Sequence, residues 1–234
     1  MAKQLGYVLQ RSNSPIDGQP IVVIMTMTTT NRKTGNMAQV WILREDINPV
    51  EALKAGADES ICGSCPHRKQ EDGSRSCYVN VGQAPNSIYK AYKAGRYGEL
   101  EDLDLGILKG RKIRWGAYGD PAVIDPAIVS MINTHSAGHT GYTHQWREEF
   151  AAPFKGLFMA SCDGFNDYLE ANDAGWKTFS VVPKGYKPSG IKLCPATVVS
   201  SQATCSTCSL CNGAKTSIFV EAHGTGSKYV TNIA

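Results

Sequence analysis

The chain has 234 residues, 42% hydrophobic and 19% charged, with 24 Lys and Arg against 21 Asp and Glu for a net charge of +3. That length and balance suit a chain with a full core and exclude a disordered, weakly hydrophobic polymer. So slight a positive charge, without a long basic block, permits nucleic acid but does not argue for it, and the longest apolar run, 21–27, is too short to span a bilayer.

Segments 21–29 and 37–44 are rich in Val, Ile, Met, Thr and Trp and flank a polar turn at 31–36, which predicts a β-hairpin. Pro49 then opens a short helix over 50–55 that Gly56 ends. After a loop carrying Cys62, Cys65 and Cys77, Asn86 is placed to cap a helix over 87–93, stopped by Gly95. From Lys112 the pattern becomes regular. Strands over 112–118, 140–144, 156–161 and 177–182 alternate with helices over 126–134, 146–154 and 165–174, and further strands are expected at 191–194 and 217–222. Strands separated by single helices run parallel, and five or six such units predict an α/β fold, a partial (β/α) barrel of TIM type. The expected organisation is an N-terminal hairpin and helix over 1–60, a barrel over 61–190 with the first cysteine loop, and a cysteine-rich segment over 191–234 that completes it.

Polar residues follow each expected strand: Asp120, then Tyr142 to Trp146, Cys162 and Asp163, Cys194 to Thr197, and His223. In parallel α/β folds the C-terminal strand ends share one face, so these residues are expected to line one cavity. Turn chemistry explains Asp163 but explains His144, Gln145, Trp146 and His223 poorly. Asp120, His144 and Asp163 are the candidate catalytic groups. Tyr142, Gln145 and Trp146 are candidates for holding a cofactor or a flat ring such as a nucleobase.

Seven of the eight cysteines form two groups, Cys62, Cys65 and Cys77 (C-x2-C-x11-C) and Cys194, Cys205, Cys208 and Cys211 (C-x10-C-x2-C-x2-C). The second offers four thiolates within 18 residues, enough for zinc or a 4Fe-4S cluster. Its tight run favours iron–sulfur, because structural zinc more often uses two separate C-x2-C knuckles. The first offers three thiolates; the fourth ligand is Cys162, His67 or none from the protein. With none, one iron stays open to substrate. A lone Cys162 otherwise reads as a small buried hydrophobe. The N-terminus lacks the apolar stretch of an export signal, so reduced thiols in a cytoplasmic setting are expected rather than four disulfides.

Several blocks together resemble a known family: Cys62-Gly63-Ser64-Cys65 with Cys77, Arg114 to Pro121, Gly141 to Trp146, Met159 to Asp163, Gly175 to Phe179, Cys194 to Thr197, the C-x2-C-x2-C run, and Ala222-His223-Gly224. Over about residues 60–226 the chain is similar to phage-encoded cysteine-rich barrel proteins related to the radical S-adenosylmethionine superfamily. The resemblance implies one or two 4Fe-4S clusters, the first on Cys62, Cys65 and Cys77 and an auxiliary one on the C-terminal four, in a host-cell cytoplasm. It implies a radical-type enzyme acting on a small molecule or nucleotide. The C-x3-C-x2-C spacing typical of those enzymes is replaced here, and no Gly-Gly-Glu segment is present, which counts against S-adenosylmethionine as a cofactor. The alternative is a zinc-stabilised protein that binds single-stranded nucleic acid, suggested by basic residues over 68–114 interleaved with Tyr78, Tyr89, Tyr92 and Tyr97.

Overall fold

The computed structural model describes residues 5–198, 200–222 and 227–232. Three strands, β1 (Gly6–Asn13), β2 (Pro20–Thr26) and β3 (Ala38–Arg44), form an antiparallel meander, so the expected hairpin is present with one strand more. Residues 21–25 of β2 are fully buried on both faces, which is why they read as an unbroken apolar run rather than an alternation. β1 escapes a sequence reading because a bulge between Val8 and Gln10 breaks its period and its second half is polar.

Helix α1 (Pro49–Ala55) forms where expected: Asn48 Oδ1 accepts the N–H groups of Val50 and Glu51, and Gly56 closes it at φ 72°. A single turn, α2 (Glu59–Cys62), delivers the first cysteine. Helix α3 (Ala84–Lys93) starts ahead of the expected cap, with Pro85 and Asn86 inside its first turn, because proline lacks the N–H that this turn leaves unpaired anyway.

Next come β4 (Ile113–Tyr118), α4 (Pro126–His135), β5 (His139–Thr140), β6 (Tyr142–Thr143), β7 (Met159–Cys162), α5 (Phe165–Asp173), β8 (Thr178–Val182), β9 (Lys192–Leu193), α6 (Cys205–Cys208) and β10 (Ile218–Glu221). The helix expected over 146–154 is instead a short 3-10 helix, Glu149–Phe154, whose internal Pro153 removes a helical N–H.

These strands make two five-stranded sheets, β1-β2-β3-β4-β5 (mixed) and β6-β7-β8-β10-β9 (parallel). One residue, Gly141, separates them. Its N–H reaches Cys211 O at 3.2 Å and its carbonyl accepts from Met159 N at 3.0 Å. A side chain there would run into the Phe158 ring, so only glycine lets the two sheets meet. Among the described residues no ladder joins β1 to β9, and the sheets do not close into a barrel.

One apolar core runs from Val8 to Trp176, so the segments divided at residue 60 pack as a single body. A smaller cluster of Met159, Cys211 and Ile218, with Tyr142, Phe179, Cys194 and Leu210 against it, underlies the C-terminal cysteines. Among the described residues no helix is long and apolar enough to cross a membrane.

Candidate functional site

At the C-terminal ends of β4, β6, β7, β8 and β10 lies a cavity of about 360 Å³. Its wall carries Cys62, Cys65 and Cys77 from the first group and Cys194 and Cys205 from the second. Two cysteine groups far apart in the chain therefore border one space. Of the strand-end residues expected to line it, Asp120, Tyr142, His144, Cys194 and Thr197 do so, while His223 falls outside the described residues. None of the eight cysteines is in a disulfide.

The first group is held by Gln145 and Asp120, two residues whose sequence positions suggest contact with a ligand. Gln145 is buried behind the loop: its Nε2 donates to Cys62 O at 3.1 Å and its Oε1 faces Ser64 N at 3.5 Å. Gly63, at φ 53°, lies so close to this amide that a Cβ would collide with it. Asp120 braces the same region. Its Oδ2 accepts His144 N at 2.7 Å, its Oδ1 accepts Ala122 N at 3.0 Å, and its own N–H donates to Ile61 O at 2.6 Å. Both carboxylate oxygens are thus engaged by backbone, which makes Asp120 a positioning residue between β4, β6 and α2. Arg68 completes the frame through Asp58 Oδ1 at 3.0 Å and Gly63 O at 3.1 Å.

The C-terminal group is built on a capped turn. Thr204 and Thr207 form a reciprocal capping box around α6, which carries Cys205 and Cys208. The turn of the N-terminal hairpin holds it, since Lys33 O and Thr34 O accept from Cys205 N at 2.9 Å and Ser206 N at 3.1 Å. Lys112 Nζ donates to Ser206 O and Ser209 Oγ, each at 2.6 Å. Cys194, Cys205, Cys208 and Cys211 surround a second, much smaller void of about 20 Å³ beside Tyr142.

Electrostatics are alike in both groups. Burial raises the Cys62, Cys77, Cys194 and Cys205 thiols above their ordinary value, with neighbouring cysteines adding to the rise in each case. Burial likewise pushes Cys211 up to about 12. Several thiolates packed into such a space need a cation between them. No three of these sulfurs, however, lie within 4.8 Å of one another.

The trio of potential ligands that does come this close, among the described residues, is His67, His144 and Asp163. His67 Nε2 lies 2.7 Å from Asp163 Oδ1, and His144 Nε2 lies 3.1 Å from Asp163 Oδ2. The shorter approach lacks hydrogen-bond alignment, leaving His67 Nε2 and Asp163 Oδ1 buried without a partner of that kind. Burial would raise the Asp163 pKa, but His144 and His67 outweigh it and hold the carboxyl below its usual range. Burial would lower that of His144, yet Cys65 and Asp163 lift it well above the ordinary value.

Trp146 is buried away from the cavity wall, its indole N–H on Ser161 O at 3.2 Å and its ring covered by Arg147 at 3.8 Å, so no face is left for a substrate ring. Gln145 is likewise not among the lining residues. Tyr142 does line the cavity, packed on Phe179 with ring centroids 4.3 Å apart. Cys162 is fully buried behind the wall, with its thiol directed to Ala160 O. Of the tyrosines of the basic stretch, Tyr78 is exposed, with its hydroxyl accepting from Arg114 at 2.6 Å, while Tyr89 and Tyr92 are engaged within the protein. Tyr89 is buried, Lys93 sits over Tyr89 and Tyr92, and Tyr92 donates to Glu45 at 2.6 Å. His67 as a partner of Asp163 is what the sequence reading missed; only the fold brings residues 67 and 163 together. No family model, curated protein or solved structure matches the chain.

Proposed function

We propose that the chain is an iron–sulfur protein of phage type and a radical S-adenosylmethionine-like enzyme, with one 4Fe-4S cluster on Cys62, Cys65 and Cys77 and a second on Cys194, Cys205, Cys208 and Cys211. The observation that carries this reading is that two cysteine groups far apart in the chain border one cavity, Cys62, Cys65 and Cys77 from the first and Cys194 and Cys205 from the second. The tight C-x2-C-x2-C run of the second group supports a cluster over zinc, which more often takes two separate C-x2-C knuckles. The order β3, β4, β5/β6, β7, β8, β10 of parallel neighbours also supports reading the two sheets as a partial (β/α) barrel opened at β9.

When bound at the first group, a three-cysteine cluster supplies electrons and an open iron position beside the cavity. The chain's own residues would do the rest. Gln145 would fix the cysteine loop through Cys62 O and Asp120 through its N–H on Ile61 O, and Tyr142, Phe179 and Val181 would offer an apolar wall to a substrate of small-molecule or nucleoside size.

Protein purified without oxygen should be brown, absorb broadly near ~400 nm and contain iron and sulfide in cluster-like ratio. Cys65→Ser and Cys208→Ser should each remove about half of that iron, because an incomplete ligand set no longer retains its cluster. Colourless protein with stoichiometric zinc would overturn the reading in favour of a zinc-stabilised nucleic-acid-binding protein. Reduced protein mixed with S-adenosylmethionine should release 5′-deoxyadenosine; without that product the radical version alone fails.

A further inference from the structure

His67, His144 and Asp163 form a compact group that neither cysteine site uses. They come from the loop after α2, the end of β6 and the end of β7, and converge where His67 and His144 face the cavity. We infer that these three side chains hold a single divalent first-row metal ion, ferrous iron foremost, as a two-histidine, one-carboxylate site.

The distances fit that role. Ligands on adjacent corners of an octahedral ion, bound at about 2.1 Å, sit ~3.0 Å apart. The two nitrogen–oxygen separations, 2.7 Å from His67 Nε2 to Asp163 Oδ1 and 3.1 Å from His144 Nε2 to Asp163 Oδ2, bracket this value, so a single ion would take both oxygens of the carboxylate. The histidine rings stand nearly perpendicular, at 76° with centroids 5.6 Å apart, as two side chains approaching one point from different elements would.

The alignment fits as well. His67 Nε2 and Asp163 Oδ1 face each other at 2.7 Å outside good hydrogen-bond geometry, and neither atom has another hydrogen-bond partner. His67 is 8% exposed and Asp163 5%, so water does not compensate them. Buried polar atoms of this kind call for an ion or an ordered water. A cation placed between them satisfies both at once.

Outer contacts complete the pattern. His67 Nδ1 lies 2.7 Å from Ser76 Oγ, which fixes the ring and leaves Nε2 free to bind metal. The backbone of His144 is tied to Asp120 Oδ2, and Asp163 N donates to Asp167 Oδ2 at 3.2 Å. With three protein ligands, the remaining positions are open to water or an oxygen-donor molecule in the cavity. Cys65 Sγ lies 3.8 Å from His144 Nε2, so the site borders the first cysteine group.

Manganese(II) is the probe, because it favours carboxylate and water oxygen over the thiolates of the cysteine groups. Anaerobically purified protein, dialysed against EDTA, should take up one equivalent of Mn²⁺, read as loss of the six-line aqueous EPR signal. Asp163→Asn and His67→Gln should each weaken binding at least tenfold. Ser76→Ala, which leaves every ligand in place, should weaken it by about 10- to 100-fold, the effect usual for an outer contact. Cys205→Ser should leave it within a few-fold of the parent. No uptake by the parent, equal uptake by Asp163→Asn, or uptake lost in Cys205→Ser would each overturn the inference. The cysteine readings are tested by iron and sulfide content, so the two can fail separately.

Discussion

Gln145 and Asp120 show how a polar residue at a strand end can act through backbone rather than on a ligand. Each spends its side chain on main-chain groups, Gln145 on Cys62 O and Asp120 on the N–H groups of Ala122 and His144. His139 is a third case, away from the cavity. Its Nε2–H donates to Leu157 O at 2.8 Å, and burial lowers its pKa below the ordinary value, with hydrogen bonds to the backbone of Leu157 and Asn212 opposing. A histidine whose folded value is depressed contributes stability that is present above its unfolded pKa, about 6.5, and lost as pH falls through the folded value. Stability should therefore decline from about pH 6.5 downward. His139→Gln, which keeps a donor for Leu157, should flatten that decline when urea midpoints are compared between pH 7.5 and 5. An unchanged slope would remove His139 as the cause.

Among elements, the joint between β5 and β6 is the most constrained. Phe158, stacked on Phe154 with centroids 5.0 Å apart, occupies the space a side chain at 141 would need. Gly141→Ala should therefore cost about 1–3 kcal/mol by overpacking, measured as a shifted denaturation midpoint, and should disturb Cys211, whose carbonyl accepts Gly141 N–H. A neutral effect would mean the two sheets are not locked at this point. The 3-10 helix Glu149–Phe154 teaches the converse lesson: its apolar spacing suggested an α-helix, but Pro153 and the pull of Phe154 into the core decided otherwise.

At the scale of the whole molecule, the N-terminal hairpin meets the C-terminal cysteine segment. The hairpin turn at residues 33–35 and Lys112 hold the C-terminal cysteine segment, which otherwise contributes few residues to the main core. Lys112→Met should free this segment while leaving the sheets intact, because local opening depends on local contacts. Limited digestion with thermolysin should then cut first within 200–211, with the thermal midpoint nearly unchanged. Cleavage that is no faster, or that begins elsewhere, would show the anchor to be of no consequence.

Much of the fold was legible in the sequence because its signals are local. The hairpin, the capped helix α1, the terminal strands and the alternation from β4 to β8, apart from the helix expected over 146–154 and the break at Gly141, follow from periodicity, proline and glycine placement. Tight cysteine spacing likewise announced both groups, and the polar strand ends announced a shared cavity for Asp120, His144 and Cys194. What tertiary structure alone decided is direction and company. Gln145 and Trp146 sit one and two residues beyond His144, yet they are buried behind the wall rather than on it. His67 gains its meaning from Asp163, nearly a hundred positions away, because the side chain a residue meets across a fold is set by how strands stack and loops cross, which no window of sequence contains.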